Sequence, residues 1–128
     1  MNMKRKNALF ICALAMALTV AALTRGSSTM VAQAQNKPRE IAITAKRFTF
    51  EPAEVKLKKG ETVVLKITSA DVTHGIFVRP LKIDSDIPAG KTVEVTITPA
   101  VTGTFTAICD HFCGSGHGNM KMTFIVEE

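Results

Sequence analysis

Val63-Val64-Leu65-Lys66-Ile67 repeats its apolar residues at every second position, and Val93-Glu94-Val95-Thr96-Ile97 does the same further along the chain. A spacing of two puts Val63, Leu65 and Ile67 on one side of an extended chain, and Val93, Val95 and Ile97 on one side of another. Working outward, Ile41 and Ile43 alternate with polar neighbours, and Val55 and Leu57 alternate with Lys56 and Lys58. Phe105, Ala107 and Cys109 share a face, as do Met122, Phe124 and Val126. Lys59-Gly60, Pro80, Pro88-Ala89-Gly90, Pro99 and Gly103 break the chain between these runs. No segment sustains a helical period. The pattern predicts an all-β domain, a Greek-key β-sandwich or barrel of seven to eight short strands.

The composition fits a single small core. The chain has 128 residues, 46% of them apolar, and its aromatic residues are all Phe, with Trp and Tyr absent. This excludes disorder, collagen-like repeats and a multi-span membrane protein. The formal charge of +5 is concentrated at the start, where Lys4, Arg5, Lys6 and Arg25 stand among 34 residues without Asp or Glu. Without those four cations, 12 Lys and Arg face 11 Asp and Glu. No basic stripe is left for a phosphate backbone, so no nucleic-acid partner is expected.

Residues 1–34 carry the parts of a secretory signal peptide. Lys4-Arg5-Lys6 is the basic head, and Ala8 to Leu23 is an uncharged run of sixteen residues, short of the about twenty that a span requires. Ala32-Gln33-Ala34 offers a small-x-small cleavage pattern that would make Gln35 the mature N-terminus. The polar stretch before that pattern is long, so an uncleaved N-terminal anchor is the alternative. Either outcome places the domain, residues 35–128, in the periplasm or on the extracytoplasmic face of a membrane.

The chemistry sits in Cys109-Asp110-His111-Phe112-Cys113-Gly114-Ser115-Gly116-His117-Gly118-Asn119-Met120, between two expected strands. Besides His111 it holds two thiols, an imidazole and a thioether, with Gly114, Gly116 and Gly118 expected to let the backbone turn sharply. His74, in Asp71-Val72-Thr73-His74-Gly75, is a fourth candidate that a sandwich could bring beside the loop. Soft sulfur donors with imidazole select copper over hard cations. A single Cys with two His and a Met would make a mononuclear blue-copper site. Two thiolates can instead bridge two coppers, each with one His, leaving Met120 and a backbone carbonyl for the weak positions.

The pattern Cys-x3-Cys-x3-His-x2-Met resembles the binuclear copper A (CuA) domain of cytochrome c oxidase subunit II and nitrous oxide reductase. Asp71-Val72-Thr73-His74 is similar to the family's first-histidine strand. Leu81-Lys82-Ile83-Asp84 and Ile87-Pro88-Ala89-Gly90-Lys91 resemble its intervening loop. The resemblance implies a cupredoxin-like fold, two copper ions, and His74, Cys109, Cys113, His117 and Met120 as side-chain ligands. It also assigns the carbonyl ligand, midway between the cysteines, to His111. Three features depart from subunit II: His111 stands where that subunit usually has Glu, Trp and Tyr are absent, and at most one apolar segment replaces a two-helix anchor. They favour a free-standing or singly anchored copper domain.

The implied function is one-electron transfer, with a c-type cytochrome or a terminal oxidase as redox partner. No general base, nucleophile or substrate pocket marks the chain as an enzyme by itself, although it could serve as a subunit II-like component of one. Copper delivery or storage and a mononuclear blue-copper protein are the competing functions. Among competing chemistries, a Cys109–Cys113 disulfide leaves His117 and Met120 without a role, and a zinc site of two Cys and two His leaves Met120 without one. Met122 shares the parity of Met120 and is expected in the core, or as a minor axial alternative. Phe112 is expected to shield the site from water.

Overall fold

The computed structural model describes residues 37–128; the expected leader, with its cleavage pattern, lies outside the described residues. Nine strands form: β1 (Arg39–Lys46), β2 (Thr49–Glu51), β3 (Glu54–Lys58), β4 (Val63–Ser69), β5 (His74–Val78), β6 (Ile83–Ile87), β7 (Thr92–Ile97), β8 (Gly103–Ile108) and β9 (Lys121–Glu127). One sheet runs β2-β1-β4-β7 and the other β3-β9-β8-β5-β6. The chain crosses between sheets, so β1 pairs in parallel with β4, and β3 in parallel with β9. The expected all-β sandwich is what forms. Its count rises from seven or eight to nine because β2 spans only three residues, too few to show a period, and β6 forms where a loop is expected.

Alternation decides which face is buried. Val63, Leu65, Ile67 and Ser69 of β4 are buried and the residues between them are half-exposed. Met122, Phe124 and Val126 of β9, in the other sheet, are also buried in the same core. Phe50 and Phe124, both fully buried, are the largest side chains of this core. At about 25 cal/mol per Å² of apolar surface removed from water, each such ring stabilises the fold by several kcal/mol before entropy is counted.

Strands β5 and β6 depart from the simple pattern. In β5, His74, Gly75, Ile76 and Val78 are all buried, so both faces are covered at its start. The segment expected as part of an intervening loop forms β6, with Ile83 and Ile87 inward and Asp84 and Asp86 outward. Between them, Pro80 sits in a short 3-10 turn, Arg79–Leu81. Together β5 and β6 form a platform at the end of the sandwich where β8 runs into the cysteine loop.

Candidate metal centre

The loop from Cys109 to Met120 leaves β8 and returns as β9, and its base is closed by the Cys109 N–H donating to the Met120 carbonyl at 3.0 Å. Within it, His117–Asn119 form one 3-10 turn. The turn is held by His117 N–H to Gly114 O and Met120 N–H to His117 O, both 3.1 Å. These bonds turn the side chains of residues 113, 117 and 120 toward one point.

Gly114 adopts φ +137°, as the sequence leads one to expect of a sharp turn. Gly116 does not, with φ −89°. Its requirement is space, because a Cβ there would collide with Cδ2 of Phe48. Gly118 meets nothing within 4 Å. Phe48 and Arg47 lie in the β1–β2 turn, and Arg47 Nε donates to the Cys113 carbonyl at 2.9 Å. The loop is therefore braced by a segment 66 residues away in the chain.

The sulfurs of Cys109 and Cys113 lie 3.8 Å apart as two separate, buried thiols. His74 Nδ1 is 3.9 Å from the Cys109 sulfur, and His117 Nδ1 is 3.8 Å from the Cys113 sulfur. Met120 Sδ stands 3.8 Å from Cys113, and the His111 carbonyl oxygen stands 3.2 Å from Cys109. The donor atoms of His74, Cys109 and Cys113 all fall within 4.8 Å of one another. His117 and Met120 adjoin this group through Cys113, and the His111 carbonyl adjoins it through Cys109. Each thiol has its own imidazole, with the His111 carbonyl beside Cys109 and the Met120 thioether beside Cys113.

Burial shapes this pocket's chemistry. It pushes the Cys113 thiol up to about 11, with the neighbouring Cys109 adding to the effect. Asp71 behaves in the opposite way. Its burial opposes ionisation, but N–H groups of Arg47 and Val72 and the His74 ring outweigh that and bring the carboxyl down to about 2. The bonds are Arg47 N–H to Oδ2 at 2.8 Å, Val72 N–H to Oδ1 at 2.7 Å, and His74 Nε2 to Oδ1 at 2.6 Å. An ionised carboxylate only accepts, so Nε2 must carry the His74 proton. In that tautomer Nδ1 presents its lone pair toward the Cys109 sulfur.

A family model described as a cupredoxin-like domain matches residues 10–126. The chain belongs to the cupredoxin-like family. This cupredoxin is 34% identical over 88 residues to cytochrome c oxidase subunit 2 of Thermus thermophilus, covering 69% of this chain and 65% of that protein. It is 33% identical over 91 residues to nitrous-oxide reductase of Cupriavidus necator, covering 68% of this chain and 14% of that one. The chain thus spans just under two thirds of the subunit 2 relative and a small part of the reductase. In fold it matches the periplasmic domain of subunit II of cytochrome oxidase of Bradyrhizobium japonicum, with TM-score 0.64 and 21% identity over 70% of this chain and 84% of that one.

A cupredoxin with this donor set fits copper. Two thiols, two imidazole Nδ1 atoms and a thioether are soft or borderline donors, with no carboxylate among them. Met120, which neither a disulfide nor a Cys2His2 zinc site would use, is buried against Cys113. Met122 is buried in the core. Phe112 does not enclose the site as expected, because 76% of it is exposed. Its ring instead leans on one side of His117, with centroids 5.8 Å apart. The sequence reading gave no role to Asp71, Arg47, Phe48 or Gly75. Of these, Asp71 and Gly75 lie in the His74 segment, three residues before it and directly after it. Among the described residues, no helix is long and apolar enough to cross a membrane.

Proposed function

We propose that this cupredoxin carries electrons one at a time through a binuclear copper centre of the CuA type, on the extracytoplasmic side of a membrane. The observation that carries the reading is the symmetry of the donors: two thiol sulfurs 3.8 Å apart, each with its own histidine Nδ1 within 3.9 Å. When bound, a copper pair bridged by two thiolates supplies a one-electron couple whose geometry changes little between its oxidation states.

The chain's residues divide the work. Cys109 and Cys113 would be held in common by the two ions. His74 and the His111 carbonyl serve the side toward Cys109, and His117 and Met120 serve the side toward Cys113. Asp71 fixes the ring and the tautomer of His74. Burial of both thiols keeps water out, and the half-buried His117 is the ligand nearest solvent. A c-type cytochrome or a terminal oxidase is the partner this reading implies. Residues 1–34 act as export signal, with mature chains starting near Gln35; N-terminal sequencing of exported protein checks this, and a retained Met1 in the membrane fraction would identify an anchor.

Copper per chain, measured with the visible and electron-spin-resonance spectra, tests the function. Two slowly exchanging coppers sharing one unpaired electron are expected. One copper per chain would indicate a mononuclear blue-copper protein. A colourless Cu(I) site stripped by mild chelators would indicate delivery or storage.

A further inference from the structure

The His111 carbonyl faces Cys109, and its half-exposed side chain has no place in that arrangement. Strands β5 and β6 pair antiparallel with Gly75 directly opposite Asp86. Such cross-strand neighbours present their Cβ positions side by side on one face. Both meet the same piece of the ligand loop. A Cβ on Gly75 would stand 2.9 Å from the His111 backbone nitrogen and collide with the Asp110 carboxylate, so that peptide rests directly on β5. Asp86, one strand over, places Oδ1 3.2 Å from Nδ1 of the His111 ring. The His111 carbonyl oxygen closes the set, 3.2 Å from the Cys109 sulfur.

Residue 111 is therefore held at three points: its nitrogen on Gly75, its ring on Asp86 and its carbonyl at the metal pocket. We propose that Asp86 is a positioning residue for the metal centre, which through the His111 ring keeps the His111 carbonyl aimed at the Cys109 side. The contact stands on geometry alone; its electronic consequence rests on the copper reading above. His111 and Asp86 side chains are 43% and 72% exposed, and an exposed pair adds little to overall stability. What the pair controls is the approach of a weak donor. Such a donor stabilises the oxidised state, so loosening it raises the potential.

Asp84 supplies the control. It lies on the same exposed face of β6, carries the same charge and makes no ion pair among the described residues. The test compares Asp86→Ala, Asp86→Asn and Asp84→Ala in the full chain. In the reduced, metal-free protein, backbone chemical shifts from Asp110 to Cys113 should move in Asp86→Ala and stay near wild type in Asp84→Ala. Asp86→Asn, whose side-chain oxygen still accepts from the ring, should restore them. In the copper-loaded protein, Asp86→Ala should raise the midpoint potential more than Asp84→Ala does, with equal copper per chain and equal melting temperature. Asp86→Asn should fall back to the Asp84→Ala value. Equal effects of the two alanine variants in both arms, or Asp86→Asn behaving like Asp86→Ala, would reduce the role to bulk charge and overturn the proposal. Wild-type copper other than two per chain would overturn the reading in the previous subsection instead, and the metal-free arm would still decide the contact.

Discussion

His74 is gripped on one side by Asp71, 2.6 Å from Nε2, and on the other side presents Nδ1 to Cys109 at 3.9 Å. The carboxylate thus orients a fully buried ring toward a thiol, from a position one short turn earlier in the chain.

Asp71→Asn should separate this contact into stability and tautomer. The wild-type carboxyl is held down at about 2, against an ordinary 3.8. A depressed acid contributes its full stability above the higher value and loses it as pH falls toward the lower one. The side chain is about one-third exposed, so solvent screening reduces the contribution to about 1 kcal/mol. The metal-free Asn variant should be less stable than wild type at pH 7 by about that amount, with the difference vanishing between pH 4 and about 2. Denaturant melts across that range check it. A difference that persists at low pH would assign the effect to packing.

Phe48 and Gly116 make a steric prediction. Because any Cβ at position 116 would collide with the Phe48 ring, Gly116→Ala must displace the ring or the loop, at about 1–3 kcal/mol. Gly118→Ala, facing open space, should cost far less. In a Phe48→Ala background the Gly116→Ala penalty should largely disappear, and a double-mutant cycle by chemical denaturation reads that coupling. Additive penalties would show that the loop is held by something other than this ring.

These contacts also mark where the sequence is mute. Strands β4, β7 and β9 bury one face, and their period of two is visible in Val63–Ile67, Val93–Ile97 and Met122–Val126. Strand β5 is covered on both faces at its start, so His74-Gly75-Ile76 has no alternation and only the histidine drew attention to it. The candidate ligands were legible because four of their side chains lie within twelve residues and their chemistry is unlike that of a core. Their supports were not. Arg47 meets Cys113 across 66 residues and Asp86 meets His111 across 25, and no periodicity links such pairs. Phe112 misled in a simpler way: an apolar residue beside a metal loop reads as a cover, but its strand-free position leaves it facing solvent.

The Cys113 thiol makes a prediction about metal uptake. Burial and the neighbouring Cys109 hold it up at about 11, so it stays protonated at neutral pH in the metal-free reduced chain. Its thiolate fraction at pH 8 should be roughly 100-fold below that of an ordinary cysteine. In a chain starting at Gln35, whose cysteines are Cys109 and Cys113 alone, thiolate ultraviolet absorbance against pH should show a titration near 11, and copper loading at pH 7 should release the Cys113 proton. A complete thiolate titration below pH 9 would contradict the buried, paired geometry.

The two cysteines have similar chemistry but unequal neighbours, and this gives the sharpest prediction. Cys113 touches His117 and Met120 as well as Cys109. Cys109 touches His74 and the His111 carbonyl. Replacing Cys109 by Ser leaves Cys113 with an imidazole and a thioether from its own loop, and with His74 Nδ1 within 4.8 Å. That set suits one copper with a strong thiolate charge-transfer band. Replacing Cys113 by Ser removes the sulfur that joins both halves and leaves Cys109 with one imidazole and a weak carbonyl. Copper binding should fall below one per chain. Met120→Leu should be mildest, because a weak axial donor tunes potential more than it holds metal; two coppers should remain, with a changed potential. Copper per chain and the visible spectrum of each variant give the ranking. If Cys109→Ser still binds two coppers with an unchanged spectrum, the thiols do not bridge and the binuclear reading fails.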